Sequence, residues 1–161
     1  MSVTLIDAWR RVDPDRAADA LKFWTSLGLG PADRQERLSE ICAMAYVGET
    51  FAGVATAYLA DAPPLRARMA FYRCAVAPAF RKRDIAYRLT GYSRRVLERW
   101  ARAHPEEKVM GMAAAIEAAE LSGFQLKPTW SEHDLHLNLA FYLEDGKQLR
   151  VAWFKHARLE P

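Results

Sequence analysis

Two cysteines, Cys42 and Cys74, are all that the 161 residues contain. That is too few for a disulfide framework, and neither has partners at the spacing a metal site needs. Both fall in stretches expected to be buried strands, so both read as reduced core thiols. Long apolar runs are missing as well: nowhere do about 18 apolar residues follow one another, which excludes a bilayer-spanning helix. The opening residues, Met1-Ser2-Val3-Thr4-Leu5-Ile6-Asp7, lack a basic stretch leading into an apolar one. A cytoplasmic protein with no membrane partner is the expectation. There is no internal repeat and no low-complexity segment. With 51% hydrophobic and 27% charged residues, the composition excludes a disordered chain. A chain of this length is expected to form a single domain over residues 1–161, with one full core.

What the chain has is a local concentration of positive charge. The whole sequence nets +3, whereas the stretch Phe80 to His104 sets eight basic residues against Asp84 and Glu98, a net of +6. In that stretch Ile85, Leu89, Tyr92, Val96 and Trp100 recur at spacings of four, three, four and four, one face of a 3.6-residue period, so a helix is expected from Phe80 to about Ala103. An apolar strand, Met69 to Val76, runs directly into it through Ala77-Pro78-Ala79. Arg81, Lys82 and Arg83 then stand at the expected helix start, where unpaired backbone N–H groups and the positive end of the helix dipole favour an anion. The junction therefore reads as a phosphate site.

The remainder of the chain alternates strands and helices. Val3 to Trp9 reads as a first strand. Asp13-Pro14 supplies an N-cap and an N1 residue for a helix with Ala17, Leu21, Trp24 and Leu27 on its inner stripe, closed by Gly28 and Gly30-Pro31. A short helix from Ala32 to Leu38 follows. Ile41 to Val47 and Phe51 to Leu59 flank Gly48-Glu49-Thr50 as a hairpin. Both of these strands are apolar on both faces, so helices should cover the sheet on each side. The Asp61–Arg68 loop, with Pro63 and Pro64, is either a plain surface connection or the lining of a substrate mouth. Beyond the long helix, Lys108 to Ala113 is expected as a strand parallel to its predecessor, because a helical crossover separates them. A short helix from Ile116 to Leu121 and a hairpin of Leu135–Leu143 with Gln148–Phe154 complete the order. The class is α/β, an α+β layered domain.

The junction carries a family resemblance. Val76-x-Pro78 followed by Arg81-x-x-Asp84-x-Ala86, and a helix with Leu89, resembles the acyl-CoA pyrophosphate loop of the GNAT superfamily of N-acetyltransferases, whose pattern is Arg or Gln-x-x-Gly-x-Gly or Ala. The order of elements is similar to the GNAT fold over nearly the whole chain. The resemblance implies a mixed, mostly antiparallel sheet of about seven strands with helices on both faces, and acetyl-CoA as co-substrate. It places backbone groups of Cys74, Ala75 and Val76 on the pantetheine arm, and the loop of Arg81, Lys82, Arg83, Asp84, Ile85 and Ala86 on the pyrophosphate. Where the family usually has its first glycine, this chain has Asp84. Either that carboxylate serves the helix dipole, its repulsion of phosphate offset by the neighbouring cations, or it weakens the cofactor site.

Acyl transfer to an amine needs a polarised thioester carbonyl, a neutral amine and a proton for the departing thiolate. The resemblance implies a carbonyl polarised near the Val76 amide. The family's frequent strand glutamate is absent, since Met69 to Val76 contains no carboxylate. Alternation puts Ala70, Tyr72, Cys74 and Val76 on one strand face, making Tyr72 the protic side chain there, with core packing as its other reading. The family's tyrosine on the short helix, counted back from Gly123, corresponds to Ala119. Its neighbour Glu120 is the second candidate, provided an apolar wall raises its pKa. Glu132, His133, Asp134 and His136 cluster without a diagnostic metal spacing, so no metal is expected, and His133 or His136 could serve as acid or base.

Three function classes follow. The first is an acetyl-CoA-dependent N-acyltransferase acting on a small-molecule or peptide primary amine by direct attack in a ternary complex. The second is a catalytically silent module of the same fold. The third, nucleic-acid binding through the arginine-rich helix, lacks an accompanying aromatic stacking platform. A homodimer through the edge of the final hairpin, at Val151, Trp153 and Phe154, is a further expectation.

Overall fold

A computed structural model of the chain describes residues 2–81 and 84–161. The residues group into two compact units, Met1–Ala57 with Arg73–Val96 and Tyr58–Tyr72 with Leu97–Pro161.

The first unit begins with β1 (Val3–Asp7), α1 (Pro14–Ser26) and α2 (Pro31–Leu38). Asp13 caps α1 as expected: its carboxylate accepts from the Arg16 amide at 2.9 Å, and Pro14 occupies the position where a missing N–H costs nothing. β2 (Ile41–Val47) is buried along its whole length and pairs antiparallel with β1, Val3↔Val47 through Asp7↔Ala43. It turns at Gly48-Glu49 into β3 (Thr50–Ala62), with Val47 opposite Thr50. Ala20, Phe23 and Trp24 of α1 pack with Ile41, Met44, Tyr46 and Val54. Gly53, the next residue of β3 and hence on its other face, lies against Leu89 of α3 (Ile85–Ala103). Helices therefore cover both faces of this part of the sheet, which is why β2 and β3 alternate no polar residues.

The second unit holds β5 (Val109–Ile116), β6 (Thr129–Trp130), β7 (Leu137–Tyr142) and β8 (Gln148–Trp153). β3, α3 and β4 (Ala67–Val76) run from one unit into the other. The strand order is β1-β2-β3-β4-β5-β8-β7-β6. β4 and β5 are parallel, Arg68↔Val109 through Phe71↔Ala113, as the helical crossover requires. β5–β8, β8–β7 and β7–β6 are antiparallel. Among the described residues the mixed, mostly antiparallel sheet has eight strands rather than about seven, the additional one being the two-residue β6.

Arg150, 1% exposed, is the buried cation of this unit. Its guanidinium lies 3.9 Å from the centre of the Trp130 ring and donates to Gln148 Oε1 at 2.8 Å and to the carbonyls of Lys127 at 3.0 Å, Pro128 at 3.1 Å and Gln125 at 3.4 Å. Burial lowers its pKa, and the carbonyl dipoles and the ring face stand in for a counter-ion.

Several sequence expectations are corrected. The long helix begins at Ile85, not Phe80, because Pro78–Phe80 forms a separate 3-10 turn and Arg81 is extended (φ −68°, ψ 160°). The helix expected over Ile116–Leu121 is absent. β8 claims the preceding residues as strand up to Ile116↔Gln148, and an irregular turn follows in which the Leu121 amide reaches Ala118 O at 3.4 Å. The dimer edge at Val151, Trp153 and Phe154 is not an edge: β8 lies between β5 and β7, and Val151 and Phe154 are buried. No helix among the described residues is long and apolar enough to cross a membrane.

Candidate functional site

The junction between β4 and α3 is built by four backbone events. The Ala77 amide donates to Ala52 O on β3 at 2.7 Å, pinning the end of β4. Pro78 then starts the 3-10 turn, closed by Phe80 N on Ala77 O at 2.9 Å and Arg81 N on Pro78 O at 3.4 Å. Arg81 extends away from the turn while its side chain reaches back, Nε donating to Val76 O at 3.1 Å. Finally, Asp84 O accepts from the Arg88 amide at 2.9 Å. Among the described residues that bond opens the helix, and the amides of Ile85, Ala86 and Tyr87 fall in its first turn, ahead of the regular intrahelical pairing. Ile85 is buried and anchors this first turn, while Asp84 is exposed.

On the strand side, Cys74 is exposed and Ala75 and Val76 are half-buried. The core placement expected for Cys74 is thereby corrected: β4 leaves the buried interior before its last residues. Cys42 is buried as expected. Burial pushes its thiol up to about 12, and the neighbouring Ser93 hydroxyl offsets only part of that. Gly53 is a residue the sequence reading passed over. A Cβ there would lie 3.0 Å from Ala75 O and 3.1 Å from Leu89 Cδ1, so β3, β4 and the second turn of α3 meet at a distance only glycine meets without displacement. The signal was an isolated glycine inside a strand, which marks close approach of another backbone.

Of the residues singled out in the sequence, Cys74, Ala75, Val76, Arg81, Asp84, Ile85 and Ala86 come together at this junction, within one unit. Lys82 and Arg83 lie outside the described residues. Arg81 precedes the helix instead of sitting in it. Tyr72, 6% exposed on β4, and Glu120, exposed in the turn after β5, belong to the other unit. The short helix expected to carry Glu120 does not form. Among the histidines, His136 Nε2 meets Asp134 Oδ1 at 2.7 Å at the surface, and the His133 ring lies 5.8 Å from that of Phe124.

This arrangement of strands and helices is shared with solved structures. Arabidopsis thaliana NAA60 in complex with acetyl-CoA matches over 95% of this chain and 99% of its own, with a TM-score of 0.60 and 12% identity. The GNAT-family acetyltransferase of Streptococcus pneumoniae matches over 95% and 99%, with a TM-score of 0.59 and 10% identity. The chain has the GNAT fold. The GNAT domain of S. lividans PAT matches over 94% of this chain and 89% of that domain, with a TM-score of 0.57 and 16% identity. No family model and no curated protein matches the sequence. The GNAT fold is thus carried here by a sequence that shares little residue by residue with these structures.

Proposed function

We propose that this protein is a cytoplasmic, acetyl-CoA-dependent N-acyltransferase that acts on a primary amine of a small molecule or peptide. The observation that carries the proposal is the β4–α3 junction. There an arginine is tied to the end of the strand, and four residues on, the first-turn amides of α3 begin. The amides of Ile85 and Ala86, with Arg81, Lys82 and Arg83, would hold the pyrophosphate, and backbone groups of Cys74, Ala75 and Val76 the pantetheine arm. The GNAT fold supports this assignment. Acetyl-CoA when bound supplies an activated thioester, so the protein's work is chiefly to position it and to admit a neutral amine. Tyr72, on the same face of β4 as Cys74 by alternation, is the protic residue we assign to the leaving thiolate. Glu120, exposed on an irregular turn, receives no role.

The alternative is a non-catalytic GNAT-fold module, and Asp84 favours it, because a carboxylate at the start of α3 opposes phosphate at the same amides. Nucleic-acid binding is the third reading: Arg94 is buried, whereas Arg88, Arg95, Arg99 and Arg102 are exposed on α3 at spacings of seven, four and three, one helical face, and a steep salt dependence of binding would mark it. Calorimetric titration with acetyl-CoA, beside S-acetylpantetheine, which lacks the pyrophosphate, tests the proposal. Micromolar binding of acetyl-CoA alone, lost in Arg81→Glu, and release of thiol with an amine acceptor are expected. Absence of binding at millimolar acetyl-CoA would overturn it in favour of the silent module.

A further inference from the structure

At the start of β4, away from the Arg81 junction that closes the strand, lies a cavity of about 670 Å³. It falls within the range of small-ligand pockets, and all its lining residues belong to the second unit. Arg66, Arg68, Lys108 and Arg158 supply positive charge to its walls. Asp61, Glu106, Glu107 and Glu160 supply an equal negative charge. The two sets barely neutralise each other: among the described residues one ion pair joins them, Arg68 Nη2 to Glu107 Oε2, at a long 3.7 Å.

A matched pair of turns frames the cavity. Pro63–Leu65 and Pro105–Glu107 are each a proline-led 3-10 turn, closed by the amide of the next residue on the proline carbonyl: Arg66 N on Pro63 O at 3.0 Å, and Lys108 N on Pro105 O at 3.1 Å. Both closing residues are left-handed, at φ 52° and 56°. Glycine is the low-cost residue for that conformation. A long cation stands there twice, at the mouths of the two parallel strands.

We propose that this cavity binds a zwitterion of the amino-acid or dipeptide class. Its carboxylate is taken by Arg68 with Lys108 or Arg158, and its ammonium by the carboxylates of Asp61, Glu106 and Glu160. A simple anion would meet four carboxylates and a simple cation four basic groups, whereas a dipolar ligand satisfies both sets. The site does not depend on the acyl-transfer reading, and acetyl-CoA binding bears on neither its success nor its failure.

The test is a titration of the full chain followed by amide resonances, with glycylglycine as probe beside acetylglycine, which lacks the ammonium, and glycinamide, which lacks the carboxylate. Saturable shifts at Arg66, Arg68 and Lys108 with glycylglycine are expected. Affinity should fall about tenfold for each blocked analogue and in Arg68→Gln, the worth of one charge-assisted contact. Arg158→Gln, outside every strand and helix, should weaken binding in the same direction and keeps the test open if Arg68→Gln unfolds. No saturable shift, equal affinity for all three probes, or full affinity in the folded variants would overturn the proposal.

Discussion

Arg81 and Val76 are joined across the turn that separates β4 from α3: Arg81 Nε donates to Val76 O at 3.1 Å. One of five guanidinium N–H groups is thus spent on holding the charge beside the strand end. Arg81→Lys keeps the charge but loses the fixed fork. It should weaken acetyl-CoA binding about threefold, against about tenfold for Arg81→Ala, with little change in thermal midpoint because Arg81 is exposed. Calorimetry and a thermal scan measure both. Equal losses in the two variants would show that the tie to Val76 has no part in binding.

Asp84 stands where its carboxylate opposes a phosphate. Asp84→Asn keeps a side chain of the N-cap type and removes the charge. It is expected to tighten acetyl-CoA binding about fivefold at low salt and by progressively less as salt rises, since exposed charges are screened. Unchanged affinity at low salt would place the phosphates elsewhere.

The two thiols should react at different rates. Cys74 is exposed on β4 and Cys42 is fully buried. An aromatic disulfide reagent should titrate one thiol rapidly and the second only with denaturant. If the pantetheine arm lies along Cys74–Val76, acetyl-CoA will slow the fast reaction, whereas S-acetylpantetheine at the same concentration will do so much less. Full reactivity in saturating acetyl-CoA would exclude that path for the arm.

Alkaline stability follows from two buried groups. The Cys42 thiol is raised from 9.0 to about 12, chiefly by burial. The Tyr46 hydroxyl, which donates to Asp19 Oδ2 at 2.7 Å, is raised above its usual value by burial first and by Asp19 second. For both, the native state holds a proton the unfolded chain has released, so their contribution is complete below the unfolded pKa and is lost as pH rises towards the folded one. Urea unfolding should show stability falling from pH 9 by about 1.4 kcal/mol per pH unit for Cys42, and more steeply from pH 10 as Tyr46 adds to it. In Cys42→Ala the decline should begin only near pH 10. A wild-type profile flat from pH 8 to pH 11 would contradict this account.

Arg150 closes the segment Gln125–Pro128 onto β8 through three backbone carbonyls and the Trp130 face. Arg150→Met should cost about 2–4 kcal/mol by leaving those carbonyls without donors. Arg150→Lys should restore little, because one ammonium cannot span the same acceptors. Urea unfolding followed by tryptophan emission measures the loss, and a change within error in Arg150→Met would show that water replaces the guanidinium.

Much of the fold is legible in the residues. Asp13-Pro14 marks the start of α1, the unbroken apolar runs of β2 and β3 announce a sheet covered on both faces, and the helical crossover between β4 and β5 makes them parallel. The Arg81-x-x-Asp84-x-Ala86 pattern locates the junction. Misreadings arise where one local signal is overridden by a partner distant in sequence. The helix expected over Ile116–Leu121 is lost from its first residue, because Ile116 pairs with Gln148 of β8 as strand. The final hairpin, too, reads as an edge only until the sheet order is known.

The sequence by itself determined the element order as far as β5, the basic junction and the thiol count, because caps, turn residues and apolar periodicity act over a few residues. Only the tertiary structure decided that Arg81 folds back onto Val76, that Cys74 is exposed while Cys42 is buried, that Gly53 admits Leu89, and that charges from four separate segments surround one cavity. Those facts depend on which surfaces meet after the strands have paired, and pairing partners tens of residues apart leave no periodic trace in the chain.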